Sequence, residues 1–596
     1  MCGLGGELRL DGSPADTAAV ARMSPALRPR GPDSEGSWAA GSLALVHHRL
    51  QIIDLSPAGS QPMVDDELRL VTVFNGCIYN HRELRAELES HGYQFRSHSD
   101  TEVIGKAYHR WGERCVEHFL GMFAFAVHEM DTHRLVLARD RLGIKPLYLA
   151  ETAGRLRFAS TLPALLAAGD VDTTVDPVAL HHYLSWHAVV PAPRTILAGV
   201  RKLPAATVRT IEPDGTHHDW TYWDPTATRP RPDEARAAWS AHDWRDAVLA
   251  GLRTAVERRM VADVGVGVLL SGGLDSSLIV ALLAEGGQRD LATFSIGFGD
   301  AGGESGNEFE FSDLVAREFG TEHHRIHIED SRLLAGLDGA VAAMSEPMVS
   351  HDCVAFYLLS QDVSPHVKVV QTGQGADEVF AGYDWYPPLA AVPRDQVAPA
   401  YSRVFFDRDH DQIAALVSPQ WLAAGDPSGS FARAHLDAPG ADTALDAALR
   451  LDTRVMLVDD PVKRLDTMAM AFGLEARVPF LDHELVELAM RCPPELKLAG
   501  GGKGVLKAAA RGLVPDTVID RPKGYFPVPG VRHLDGPVLD RVRDALLAPA
   551  ARDRGLFRPD VVRELLREPN ARRTTIGGNV AWQIGLLELW LQRMGV

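Results

Sequence analysis

Through the first 160 or so residues, short apolar runs alternate with glycine and proline turns: Leu43 to Val46, Gln51 to Leu55, Leu70 to Phe74, Met122 to His128 and Leu135 to Ala138. Runs of this length, rich in β-branched and aromatic residues, predict strands. Apolar positions spaced three and four apart predict helices over Arg82 to Ser90 and around Thr101 to Trp111. The pattern is that of an α+β domain built on antiparallel sheets. A short helical patch follows at Pro177 to Trp186, and the proline-rich, charged run DPTATRPRPDEAR at 224 to 236 reads as a linker. From about residue 240 to 380, amphipathic helices alternate with buried-type strands at Val264 to Leu270, Leu291 to Ile296 and Val367 to Gln371. That is the βαβ rhythm of a parallel sheet covered on both faces. The remainder reads as mostly helical, with no internal repeat.

Length and composition narrow this picture. A chain of 596 residues is too long for one core and predicts two or three domains. Its net charge of −18 argues against a nucleic-acid partner, so small anionic ligands would need locally basic sites. The five cysteines, Cys2, Cys77, Cys115, Cys353 and Cys492, are scattered and form no CxxC pair. Neither a disulfide framework nor a zinc site is expected, and a reducing cytoplasm fits best. The start MCGLGGELRL has no signal-peptide pattern, and no apolar run approaches a membrane span, so no membrane partner is expected. Four adjacent histidine pairs, such as His47-His48 and His181-His182, show no ligand spacing.

Two stretches carry candidate chemistry. Val264 to Ser277 reads VGVGVLLSGGLDSS: a strand, a tight glycine loop and a helix start. Loop N–H groups, the hydroxyls of Ser271, Ser276 and Ser277, and the helix N-terminus would cradle an anion of pyrophosphate size, with Asp275 placed to share a bridging Mg²⁺. The Walker A spacing and its lysine are missing. At the other end, Gly3 follows Cys2. Removal of Met1 would leave Cys2 with a thiol and a free α-amine on one residue, the N-terminal-nucleophile arrangement.

MCGLGGELR, RGPDSEG (30 to 36), HHRLQIIDLSPAGSQPM (47 to 63), FNGCIYN (74 to 80), SDTEVI (99 to 104), GMFAFAV (121 to 127) and ARDRLGIKPLYLA (138 to 150) together resemble the glutaminase domain of class II, Ntn-type glutamine amidotransferases. SGGLDSS, TGQGADEVFAGY (372 to 383) and LEARVPFLDHELVE (474 to 487) resemble the synthetase domain of glutamine-hydrolysing asparagine synthetases. The resemblance is collinear over nearly the whole chain. It implies an α+β Ntn-hydrolase sandwich (2–185), a linker region (186–240) and an α/β PP-loop ATP pyrophosphatase domain with a parallel sheet and a helical C-terminal part (241–596). It also implies ATP and Mg²⁺ as cofactors, glutamine and a carboxylate acceptor as substrates, and allows a homodimer. Cys2 would attack the glutamine amide, with Asn75 and the Gly76 N–H as oxyanion hole. Arg49 would pair with the glutamine α-carboxylate and Asp100 with its ammonium, in a pocket with Leu50, Ile52 and Ile53. Ser271, Gly272, Gly273, Asp275 and Ser276 would hold phosphates, Leu270, Ile296, Thr372 and Gly373 would hold adenosine, and Asp275 and Asp377 would share the metal. Lys503, in KGVLK, would stabilise the transition state at phosphorus.

Two departures from the family pattern matter. Where the family reads S-G-E-G-[AS]-D-E, this chain has Gln374, and an amide cannot act as the base that deprotonates attacking ammonia. Where the family reads N-G-E-I-Y-N, this chain has Cys77, which removes a carboxylate from the glutamine-amine site and adds a second thiol near Cys2. These changes, with DDPVKR at 459 to 464, resemble a subgroup assigned to amidation of N-acetylglutaminylglutamine, against L-aspartate as the alternative acceptor. Competing readings are an Ntn glutaminase with a regulatory ATP-binding module and a β-lactam-synthetase-like cyclase.

Overall fold

The computed structural model describes residues 2–299, 307–522 and 533–596, so Met1 and its removal lie outside the described residues. The first half holds two six-stranded sheets. One orders its strands Arg201–Lys202, Tyr148–Thr152, Arg155–Ala159, Cys2–Arg9, Leu43–Arg49 and Ser34–Ala40; the other runs His217–Thr221, Thr207–Ile211, Leu135–Arg139, Gly121–Glu129, Leu70–Ile78 and Met63–Asp65. Leu4, Leu45, Val71, Val73, Ala126 and Leu137 fill the space between the sheets. The Leu70–Ile78 strand is apolar on both faces because Phe74 and Ile78 point away from that core and pack under Leu84, Leu88, Val103 and Ile104 of the helices His81–Ser90 and Asp100–Trp111. Helix Thr17–Leu27 covers the outer face of the other sheet through Val20, Met23 and Leu27. This is the layered α+β sandwich expected.

The expected strands at 43–46, 70–74, 122–128 and 135–138 fall inside observed ones. Gln51 to Leu55 does not form a strand. Asp54 has φ +54°, and the carbonyls of Ile53, Asp54 and Ser56 accept from the Arg49 guanidinium instead of from a neighbouring strand. A side chain there replaces the ladder that the apolar pattern alone would predict. The region read as linker, 186–240, carries three strands that extend both sheets. Its proline-rich part is also tied down, because Ala227 bridges to Ala441 and Arg229 reaches Asp446 and the carbonyls of Arg491 and Cys492.

The second half is built on a five-stranded, all-parallel sheet ordered Glu322–Ile328, Ala292–Phe298, Val266–Leu269, Val369–Gln371 and Glu475–Arg477. From the central strand, Val266–Leu269, the chain builds outward on one side and then returns to build on the other. The strand order therefore reverses between Val266–Leu269 and Val369–Gln371, and ligands of open α/β sheets bind beyond the carboxyl ends of strands at such a point. The halves meet on buried ion pairs: Lys145 to Asp466 at 3.0 Å, Arg30 to Asp466 at 2.9 Å and Lys202 to Glu346 at 3.1 Å. Among the described residues, no helix is long and apolar enough to cross a membrane.

Candidate active sites

Cys2 begins a strand of the first sheet, and the register places it opposite Arg49. It is 5% exposed, and burial raises its thiol pKa above the ordinary value. The Cys2 nitrogen donates to Asn75 Oδ1 at 3.0 Å, while Asn75 Nδ2, fully buried, makes no hydrogen bond within the described chain. A buried donor left open is costly unless a ligand oxygen completes it. Gly76 lies beside it, where any side chain is excluded: a Cβ would stand 2.1 Å from the Met122 carbonyl oxygen. The pocket around Cys2 is lined by Arg49, Leu50, Ile52, Ile53, Gly76, Cys77 and Asp100, so the residues expected to hold glutamine converge. Arg49 is buried and held by three neutral carbonyl oxygens. Asp100 accepts from the Ile78 N–H at 3.1 Å, and burial raises its pKa.

Three charged residues here escape sequence reasoning. Glu475, fully buried on the edge strand of the parallel sheet, lines this first-half pocket and pairs with Arg477 at 2.6 Å. Burial works most strongly against its charge, but Arg477 and the other cations nearby, Lys145 among them, together hold the carboxyl below its usual pKa. Arg477 also reaches Cys77 Sγ at 3.7 Å, so the thiol at position 77 sits against a guanidinium, although burial pushes its pKa strongly up. Arg30 donates through Nε to the Cys2 carbonyl at 3.2 Å and pairs with Asp466. Both Arg30 and Glu475 lie inside stretches that carry the family resemblance, and that was the available signal.

At the order reversal of the parallel sheet lies a cavity of about 550 Å³. Leu270, Ser271, Gly273, Asp275, Ser276, Ile296, Thr372, Gly373, Gln374, Asp377 and Lys503 all line it. Gly272 does not; it makes the turn, with φ +71° and so little room that a Cβ would lie 2.5 Å from the Ser312 nitrogen. The loop is braced by its own serines: Ser271 Oγ lies 3.1 Å from Ser276 Oγ and accepts from the Gly273 N–H. Helix Leu274–Glu285 opens from it with Gly273 as N-cap. The Lys503 ammonium sits between Asp275 and Asp377, at 2.7 and 2.8 Å. Two carboxylates converging on one cation are the donor set that a protein offers Mg²⁺ when phosphates complete its coordination. Glu378 lies buried behind them and accepts from Tyr383; burial, then Asp377, pushes its pKa up to about 7. The three-residue strand Glu475–Arg477 touches both sites, since Glu475 lines the first pocket and the Arg477 carbonyl accepts from the N–H of Thr372, which lines the second.

Comparison with known proteins matches residues 1–223 to the glutamine amidotransferase domain model and residues 247–592 to the asparagine synthase model. Asparagine synthetase [glutamine-hydrolyzing] 1 of Bacillus subtilis strain 168 is 31% identical over 551 residues, covering 86% of this chain and 84% of that protein. A putative asparagine synthetase [glutamine-hydrolyzing] of Mycobacterium tuberculosis strain H37Rv is 33% identical over 590 residues, covering 89% and 88%. Asparagine synthetase B [glutamine-hydrolyzing] of Escherichia coli K12 is 28% identical over 533 residues, covering 85% and 78%. With its two sites in two matched domains, the chain belongs to the family of glutamine-hydrolysing asparagine synthetases, ATP-dependent amidotransferases that take their nitrogen from glutamine.

Proposed function

We propose that this enzyme amidates a carboxylate other than aspartate, N-acetylglutaminylglutamine or a similar acid, with ammonia released at Cys2. The observation that carries the acceptor reading is Gln374, an amide facing the adenylation cavity where the family pattern has a carboxylate base. Once Met1 is removed, the Cys2 nitrogen is an α-amine whose N–H is engaged by Asn75 Oδ1, leaving its lone pair to take the thiol proton. Sulfur adds to the amide carbon of glutamine. Asn75 Nδ2 and the Gly76 N–H hold the oxyanion, and ammonia leaves as the γ-glutamyl thioester forms. Water then cleaves the thioester to glutamate.

In the second half, an oxygen of the acceptor carboxylate attacks the α-phosphorus of ATP and pyrophosphate departs from the Ser271 to Ser276 loop, with Lys503 countering the charge gained at phosphorus. Asp275 and Asp377 would hold Mg²⁺, which supplies charge neutralisation on the phosphates. Ammonia arriving from Cys2 attacks the acyl carbon of the adenylate, the acyl–phosphate bond breaks, and the products are the amide, AMP and the proton that nitrogen loses. Five buried free thiols support a cytoplasmic setting.

A second reading, L-aspartate as acceptor, is favoured by the names of the relatives. AMP release with ATP, Mg²⁺ and glutamine separates the two. The proposal expects turnover with N-acetylglutaminylglutamine and little with aspartate, and Gln374→Glu raising the aspartate rate. Efficient use of aspartate by the wild type would refute it.

A further inference from the structure

Arg521 has no role in the chemistry described so far, yet it lines the adenylation cavity. Its side chain is only 9% exposed. One nitrogen, Nη2, donates to Glu308 Oε1 at 2.8 Å, and the guanidinium lies 4.6 Å from the centre of the Phe311 ring. The other, Nη1, is buried and makes no hydrogen bond within the described chain. The guanidinium is thus fixed by a carboxylate on one side and an aromatic face beneath, with a cationic N–H left over. Burying such a donor unpaired is expensive, so the fixed geometry is that of a receptor awaiting an anion.

The position of Phe311 says which anion. Phe311 and Ser312 pack directly on the Gly272 turn, where a Cβ would meet Phe311 Cβ at 2.7 Å and the Ser312 nitrogen at 2.5 Å. Arg521 therefore stands, across Phe311, beside the Gly272 turn of the phosphate loop, whereas Lys503 stands between Asp275 and Asp377. We propose that Arg521 is a second cationic anchor of the nucleotide, binding the β- and γ-phosphates and the pyrophosphate they become. It would act on the leaving group while Lys503 acts at the phosphorus under attack. This rests on the reading of the cavity as the ATP site.

The bland alternative is an ion pair that merely fixes Glu308 at the start of helix Phe309–Phe319. The ligands tell these apart. The full-length wild type, Arg521→Ala and Arg521→Gln are titrated calorimetrically, in the presence of Mg²⁺, with ATP, inorganic pyrophosphate and AMP. Loss of one charge-assisted contact predicts ATP and pyrophosphate binding weakened about tenfold or more, with AMP binding within about twofold and ATP-independent glutaminase activity unchanged. The glutamine variant keeps bulk and polarity should alanine fail to fold. Equal weakening of AMP, or unchanged pyrophosphate binding in both variants, overturns the proposal. A wild type that binds neither ATP nor pyrophosphate instead overturns the reading of the cavity itself.

Discussion

Cys2 occupies a place that by itself makes a poor nucleophile, since burial disfavours the thiolate. In the proposed mechanism its reactivity comes from a base delivered with it, the nitrogen held by Asn75 Oδ1. Cys2→Ala is expected to lower glutamine-dependent AMP formation by about a thousandfold or more while leaving ammonia-dependent formation within about twofold. Parallel assays with glutamine and with ammonium chloride check this, and loss of both activities would assign Cys2 a structural role. At this scale the sequence was informative. Cys2, Arg49, Asn75 and Asp100 are separated by up to 98 positions, yet they meet, and each belongs to a short motif that carries the family resemblance. Glu475 was not legible, because nothing in LEARVPF says that its glutamate turns into a pocket of the other half.

Among the described elements, the strand Glu475–Arg477 is the one that touches both sites, though it is three residues long. Its position puts the Glu475 carboxylate in the lining of the pocket around Cys2, where position 77 carries a thiol. Glu475→Gln should raise KM for glutamine about tenfold with a smaller change in kcat, although the residue belongs to the synthetase sheet. Glutaminase kinetics without ATP give the answer, and an unchanged KM would remove Glu475 from glutamine binding. Strands and helices with strong periodicity were read correctly from sequence, Gln51 to Leu55 was not, and the 224–236 run read as a linker is anchored along its length. In the first, Arg49 takes the carbonyls that a neighbouring strand would have bound; in the second, proline and charge mark a segment anchored by Arg229 just as they would mark a free one. Composition reports what a segment lacks, and here side chains from elsewhere supplied it.

On the scale of the whole molecule, charge is also buried at places that line neither pocket. Asp452 is fully buried and accepts from Tyr386 at 2.7 Å and from Tyr401, yet burial still pushes its pKa up to about 7. Unfolded, the same carboxyl ionises near pH 4. Between about pH 4 and about 7 the folded state therefore holds the extra proton, and stability falls as pH rises through that window before levelling off. Asp452→Asn, which has no proton to lose, should show a flatter profile in denaturant unfolding at about pH 5 and pH 7.5. An equally steep profile in the variant would place the pH dependence elsewhere.

The ion pairs between the halves give this a wider reach. Lys145 and Arg30 from the first half both depend on Asp466 of the second, and all three are 5% exposed or less. Stranding one partner of a buried pair costs roughly 3–5 kcal/mol, a large part of what holds any domain folded. Neither half can therefore open without leaving the other with bare charge, and the chain should melt as a single cooperative unit. A proton lost from Asp452 then shortens the working life of Cys2, a residue it never touches. Glutaminase and synthetase activities are expected to decay together as pH rises toward about 7, at one common rate, and Asp452→Asn should slow both alike.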